Sequence, residues 1–246
     1  MREKKGPGAR GELLRQILDL LFPAKCPFCG RVLDTPGICT ACRKALPWIP
    51  EDAVLGQAAP DIPCAAPLWY EGLAREGLHR FKFQGMISAA EALGELVAQC
   101  AAEQFSGEFD TVTWVPVSPR RLRQRGYDQA RLLAESACRL WDTAPEPLVR
   151  KAVHNPAQST LDGAARQRNV AGVYQAEQPD RIAGRRILLV DDIVTTGSTL
   201  ASCARVLLDA GAAGVACVAV ARTRLRTKED PSPGETDLNL LKMFTK

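Results

Sequence analysis

Residues 187–199 read Ile-Leu-Leu-Val-Asp-Asp-Ile-Val-Thr-Thr-Gly-Ser-Thr. The apolar run 186–190 has the pattern of a strand buried on both faces of a parallel sheet. It ends in two consecutive carboxylates, Asp191 and Asp192. The turn Thr195, Thr196, Gly197, Ser198, Thr199 then opens a helical pattern over 198–210. Backbone N–H groups at a helix N-terminus, with small hydroxyls beside them, cradle an anion of phosphate size. Paired carboxylates accept hydrogen bonds from two vicinal hydroxyls or hold a hydrated Mg²⁺. Ribose 5-phosphate offers both partners. A Walker B strand, a response-regulator acidic pocket and a purely structural strand end are the competing readings. No GxxxxGK[ST] precedes the strand and no GxGxxG marks a dinucleotide site.

Outward from this segment, strand and helix patterns alternate. Residues 64–70, 111–117, 148–150 and 214–220 read as strands, 173–174 as the start of another, and 73–83, 89–104 and 128–141 as helices. Such alternation predicts an α/β fold with a parallel sheet flanked by helices, its ligand at the carboxyl ends of the strands. Ser118–Gln129 reads as an Arg-rich loop between a strand end and the next helix, carrying Arg120, Arg121, Arg123 and Arg125. These guanidiniums can face a pyrophosphate bidentately, Arg120 and Arg121 foremost because they lie nearest the strand end. A solvated basic turn or a nucleic-acid patch is the plainer reading. Residues 155–170, with Gln158, Ser159, Arg166, Arg168 and Asn169, have the length and polarity of a lid or of an ordinary exposed loop.

Toward the N-terminus, Leu13, Leu14, Ile17, Leu18 and Leu21 recur at helical spacing until Pro23. Cys26-Pro-Phe-Cys29 and Cys39-Thr-Ala-Cys42 follow. Two CxxC pairs of this spacing converge four thiolates on one structural Zn²⁺, the alternative being unligated pairs or short-loop disulfides. Cys64, Cys100, Cys138, Cys203 and Cys217 lie among apolar neighbours and read as buried thiols. His79 and His154, the only histidines, read as surface or packing residues.

The 246 residues, 46% hydrophobic and 24% charged with a net charge of +4, describe an ordinary globular chain. That charge is too small for a dedicated nucleic-acid or membrane binder, yet residues 118–131 alone hold five arginines and one aspartate. No apolar run reaches the roughly 20 residues that cross a bilayer, and the basic N-terminus lacks a cleavage site. Cytoplasmic residence and no membrane insertion are therefore expected, and nine cysteines, an odd count, fit a reducing compartment.

These motifs in this order resemble the ComF family of competence-associated, type I phosphoribosyltransferase-like proteins. The likeness spans about residues 13–222, through the Leu-Phe-Pro lead-in to the cysteines, Phe81-Lys-Phe-Gln-Gly85, Val115-Pro-Val, Arg120 to Gln129, Gln158-Ser to Asn169 and the acidic-pair motif. Asp128 stands where Asn is at least as frequent. The resemblance implies binding of 5-phosphoribosyl 1-pyrophosphate (PRPP) with Mg²⁺: Asp191 and Asp192 on the ribose hydroxyls, Thr195 to Thr199 on the 5-phosphate, Arg120 and Arg121 on the pyrophosphate. It implies glycosyl transfer to an unassigned acceptor, in a protein associated with DNA uptake. A rival expectation is a single-stranded-DNA-binding accessory with a regulatory or inactive PRPP pocket, for which the zinc segment offers Lys25, Arg31, Arg43 and Lys44 as cations and Phe28 and Trp48 for stacking. The expected organisation is a tail and short helix over 1–23, a zinc knuckle over 24–50, a connector over 51–63, the phosphoribosyltransferase-like domain over 64–222 and a tail over 223–246. The state of oligomerisation is not legible.

Overall fold

The computed structural model describes residues 24–152 and 173–224. The helix expected before Pro23, the polar stretch with Gln158 through Asn169, and the tail beyond Arg224 lie outside the described residues.

A six-stranded sheet forms the centre, built from β1 (Leu55–Ala59), β2 (Ile62–Ala65), β3 (Leu68–Trp69), β4 (Thr111–Trp114), β7 (Arg186–Val194) and β8 (Gly214–Arg222). The order is β1-β2-β8-β7-β4, with β3 also pairing to β8. Every pairing is parallel except the antiparallel edge of β1 on β2. β5 (Val149–Lys151) and β6 (Tyr174–Ala176) form a separate antiparallel pair. The apolar runs of β7 and β8 are buried on both faces, as parallel strands covered by helices must be.

One face is covered by α2 (Gly72–Phe83), α3 (Ala89–Phe105) and α5 (Gln129–Leu140), the other by α6 (Ser198–Asp209) with the β5–β6 pair. On α5 the buried residues Leu133, Ala134, Ala137 and Cys138 make one stripe. Where α3 crosses α5, a Cβ on Gly94 would lie 2.3 Å from Ser136 Cβ, so glycine sets that close approach.

Four local expectations change. β7 does not stop at Val190: its ladder with β8 continues through Asp191 opposite Ala219 to Val194 opposite Arg222. The acidic pair is therefore fixed within a strand, not at a loose end. Residues 64–70 form two short strands, separated at Ala66 and Pro67, the latter lacking an N–H for a ladder. The connector contains β1, which joins the sheet edge. The Arg-rich loop is a helix, α4 (Pro119–Arg125): Ser118 Oγ accepts from Arg121 N at 3.3 Å, Pro119 occupies the first turn, and Gly126 at φ +82° ends it.

The cysteine segment, including the short helix α1 (Thr40–Ala45), packs into the main core. Phe28 is fully buried against α2, where a Cβ on Gly77 would come within 2.5 Å of its ring. Arg80 Nη2 donates to the Phe28 carbonyl at 2.6 Å. Phe28 is thus a core anchor and unavailable for base stacking, which leaves Trp48 as the exposed aromatic of that segment. No helix among the described residues is long and apolar enough to cross a membrane.

Candidate functional site

At the carboxyl ends of β4 and β7 lies a cleft of about 450 Å³. Asp191 and Asp192, Thr195 and Thr199, and Arg121 and Arg125 line it together. The strand fixes both carboxylates, and Asp192 N donates to Asp191 Oδ1 at 2.8 Å. Lys82, at the end of α2, places Nζ 2.8 Å from Asp192 Oδ1, with both side chains largely buried. Burial and the neighbouring Asp192 charge hold the Asp191 carboxyl well above the ordinary range, against the pull of the Asp192 N–H and Lys82. The oxygens Asp191 Oδ2 and Asp192 Oδ2 accept no hydrogen bond among the described residues and remain open to a ligand.

Arg125 enters the cleft because the chain around it is tied down. The Tyr127 hydroxyl donates to the Phe81 carbonyl, joining the end of α2 to the start of α5. Arg125 Nη1 donates to buried Gln129 at 2.8 Å, and its guanidinium lies 4.7 Å from the Phe83 ring centre. Asp128 caps α5, with Oδ1 accepting from Arg131 N at 3.2 Å, while Oδ2 accepts from Val117 N at 3.1 Å. Burial raises the Asp128 carboxyl despite those two N–H groups. Both Asp128 oxygens accept a backbone N–H, whereas Asn would keep one accepting oxygen and set its amide N–H against the second donor.

Of the expected arginines, Arg121 lines the cleft and Arg120 does not; Arg125, one turn after Arg121, takes the second place. The helical period explains this, since residues four apart share a face whereas neighbours do not. Lys82, Tyr70, Lys151 and Tyr174 also line the cleft. Lys82 lies in the Phe81–Gly85 segment, which carries part of the family resemblance but assigns Lys82 no role. Lys151 Nζ lies 5.2 Å from the Tyr174 ring centre, and burial pushes the Tyr174 phenol up to about 12.

The turn 195–199 joins the end of β7 to the start of α6. Gly197, at φ +75°, caps α6 without a side-chain hydrogen bond; the Ser198 N–H donates to Thr196 Oγ1 at 3.4 Å, which leaves the N–H groups of Thr199 and Leu200 to a ligand. Thr196 Oγ1 donates to Ser198 Oγ at 2.9 Å. A Cβ on Gly197 would stand 2.6 Å from the Ala58 carbonyl oxygen, so β1 buttresses the turn from behind. Thr196 and Gly197 themselves border a second cleft beyond the turn.

The Sγ atoms of Cys26, Cys29, Cys39 and Cys42 all lie within 4.8 Å of one another, with Cys29 and Cys39 at 3.7 Å. Tetrahedral Zn²⁺ at a Zn–S distance of about 2.3 Å separates its sulfurs by about 3.8 Å, so the cluster has the size the ion needs. The other five cysteines are buried free thiols, and burial raises those of Cys64, Cys100 and Cys138 to about 12.

Sequence comparison accords with both parts. A profile of the double zinc ribbon domain matches residues 17–54, and one of the phosphoribosyl transferase domain matches residues 133–238. The DNA utilization protein YhgH of Salmonella typhimurium is 30% identical over 230 residues, covering 83% of this chain and 99% of that protein. Competence protein ComFC of Bacillus subtilis is 29% identical over 188 residues, covering 76% and 73%. The chain belongs to the ComF family. This ComF-family protein carries one four-cysteine zinc cluster among its described residues, although the matching profile describes a double ribbon. It also overlaps in part with the glutamine PRPP amidotransferase of B. subtilis, at 24% identity over 54% of this chain and 26% of that one, with a TM-score of 0.41.

Proposed function

We propose that this ComF-family protein binds PRPP with Mg²⁺ in the cleft and acts as a cytoplasmic phosphoribosyltransferase associated with DNA uptake. The observation that carries the reading is the meeting of Asp191 and Asp192 with Arg121, Arg125 and Lys82 beside the Thr195–Thr199 cradle. The open oxygens Asp191 Oδ2 and Asp192 Oδ2 would accept the ribose hydroxyls, and the α6 N-terminus with Thr195 and Thr199 would hold the 5-phosphate. Arg121 and Arg125, in place of Arg120 and Arg121, would face the pyrophosphate. Hard carboxylate oxygens suit Mg²⁺, which would neutralise charge on the departing pyrophosphate.

In the transfer, the bond from the ribose anomeric carbon to pyrophosphate breaks as an acceptor nucleophile bonds to that carbon. Positive charge builds on the ring and negative charge on the leaving group. Arg121 and Arg125 stabilise the latter, and Asp191 and Asp192 hold the sugar in place. Among the described residues no histidine lines the cleft, and the reading names no acceptor.

Calorimetric titration with PRPP and Mg²⁺ tests the assignment. Binding to the wild type that collapses in the Asp191→Asn/Asp192→Asn double variant supports it; undiminished binding overturns it. Pyrophosphate release across candidate bases, ammonia and nucleic-acid ends then tests turnover.

A second reading, a single-stranded-DNA-binding accessory, draws on one observation: Arg120 and Arg123 of α4 are exposed and do not line the cleft. Strongly salt-dependent DNA affinity that survives excess PRPP would favour it.

A further inference from the structure

The turn 195–197 has a cleft on each side. The second, of about 640 Å³, opens at the carboxyl ends of β3 and β8 and is walled by β1. Its size falls within the range of about 300–1,000 Å³ usual for small-molecule sites. Among the described residues, the ionisable side chains lining it are Arg222 and Arg224, with no carboxylate in the lining.

Arg222 is built into place. Its Nη2 donates to the Ala53 carbonyl, and its guanidinium lies 5.1 Å from the Trp69 ring centre. A Cβ at position 56 would overlap Arg222 Nη1 at 2.2 Å, so Gly56 makes room for this guanidinium against the β1 backbone. Its remaining N–H groups donate to no other described residue. Arg224 lies 4.4 Å from the same indole and pairs with Glu71 at 3.0 and 3.2 Å. Fixed guanidinium donors suit a phosphate, and the indole and guanidinium planes are surfaces on which a heteroaromatic ring stacks. Leu55 and Val194 supply an apolar side for that ring.

We propose that this second cleft binds a nucleoside 5′-monophosphate, with Arg222 and Arg224 on its phosphate and Trp69 beside its base. Thr195 borders both clefts, so a ligand in one bears on the backbone that forms the other. The site does not require the PRPP reading to hold.

Calorimetric titration of AMP and UMP, separately, into the wild type and three variants is the test. Arg224→Ala changes an exposed side chain; Arg222→Met keeps the packing stem, with thermal melting as the check on folding. Asp191→Asn disables the first cleft. Loss of affinity by about tenfold or more in both arginine variants, with affinity retained in Asp191→Asn, is expected. Absence of binding to the wild type at millimolar nucleotide overturns the proposal, as does affinity indifferent to Arg222 and Arg224. Binding abolished by Asp191→Asn also overturns it, because the nucleotide then sits in the first cleft. PRPP titrations of the same variants report on the first cleft separately.

Discussion

Lys82 Nζ lies 2.8 Å from Asp192 Oδ1, which pairs the last turn of α2 with the carboxylate-bearing strand β7. Lys82 is the nearest compensation for a cleft that also holds Asp191, with Asp128 close enough for its charge to be felt at Asp191. Removing one partner of a largely buried pair leaves the other charge exposed to its like neighbours.

Lys82→Met is therefore expected to destabilise the fold by about 1–3 kcal/mol at pH 7. The loss should shrink toward pH 4, as the Asp191 carboxyl, held above the ordinary range by burial and the Asp192 charge, takes up its proton. Urea denaturation of variant and wild type at both pH values measures this, and an equal loss at both would refute the charge argument.

Gly197→Ala should cost about 2 kcal/mol or more, because a φ of +75° and an Ala58 oxygen 2.6 Å from the new Cβ act together. The turn would have to move, and phosphate-dependent binding should fall with it. Melting curves and PRPP calorimetry on the same variant are the measurements; an Ala variant as stable as the wild type would show that β1 does not hold the turn.

Glu146 gives the pH dependence of stability. Burial raises its carboxyl, but the Thr111 hydroxyl at 2.9 Å, Arg185 at 3.0 Å and Arg181 at 2.7 Å outweigh this and leave it below the ordinary range. A depressed folded pKa stabilises above the unfolded value of about 4.3 and is lost as pH falls through the folded one. The stability difference between wild type and Glu146→Gln should therefore narrow below about pH 4.3. A difference that stays constant to pH 3 would contradict it.

Zinc removal should unsettle more than the cysteine segment. Cys26, Cys39 and Cys42 share the core with Phe28, Leu78 and Phe81, so chelation loosens α2. One zinc per chain by elemental analysis, and a melting temperature several degrees lower after chelation, are expected. Cys29→Ser, the exposed ligand, should lower zinc content without removing a core side chain.

Much of this protein was legible in the order of its residues. The four cysteines at CxxC spacing, the apolar strand leading into Asp191 and Asp192, and the glycine in the following turn carry local geometry, because ligand spacing and backbone φ act over a few residues. The family resemblance placed phosphate, ribose and pyrophosphate on the same segments. The start and stop of α4 were also written locally, in Ser118, Pro119 and Gly126; reading that stretch as a loop put Arg120 forward where the helical period turns Arg125 to the cleft.

Other relationships depend on contacts far apart in sequence. That Lys82 faces Asp192, that Ala58 stands behind Gly197, and that Phe28 is core joins residues brought together only when α2, β1 and the cysteine segment pack on the sheet. Composition and periodicity report how much of each element is buried, not which neighbour buries it. The sequence alone determined the α/β pattern, the metal ligands and the acidic-pair motif; tertiary packing decided which cations meet that motif, because long-range burial and the direction of side chains from paired elements set those distances.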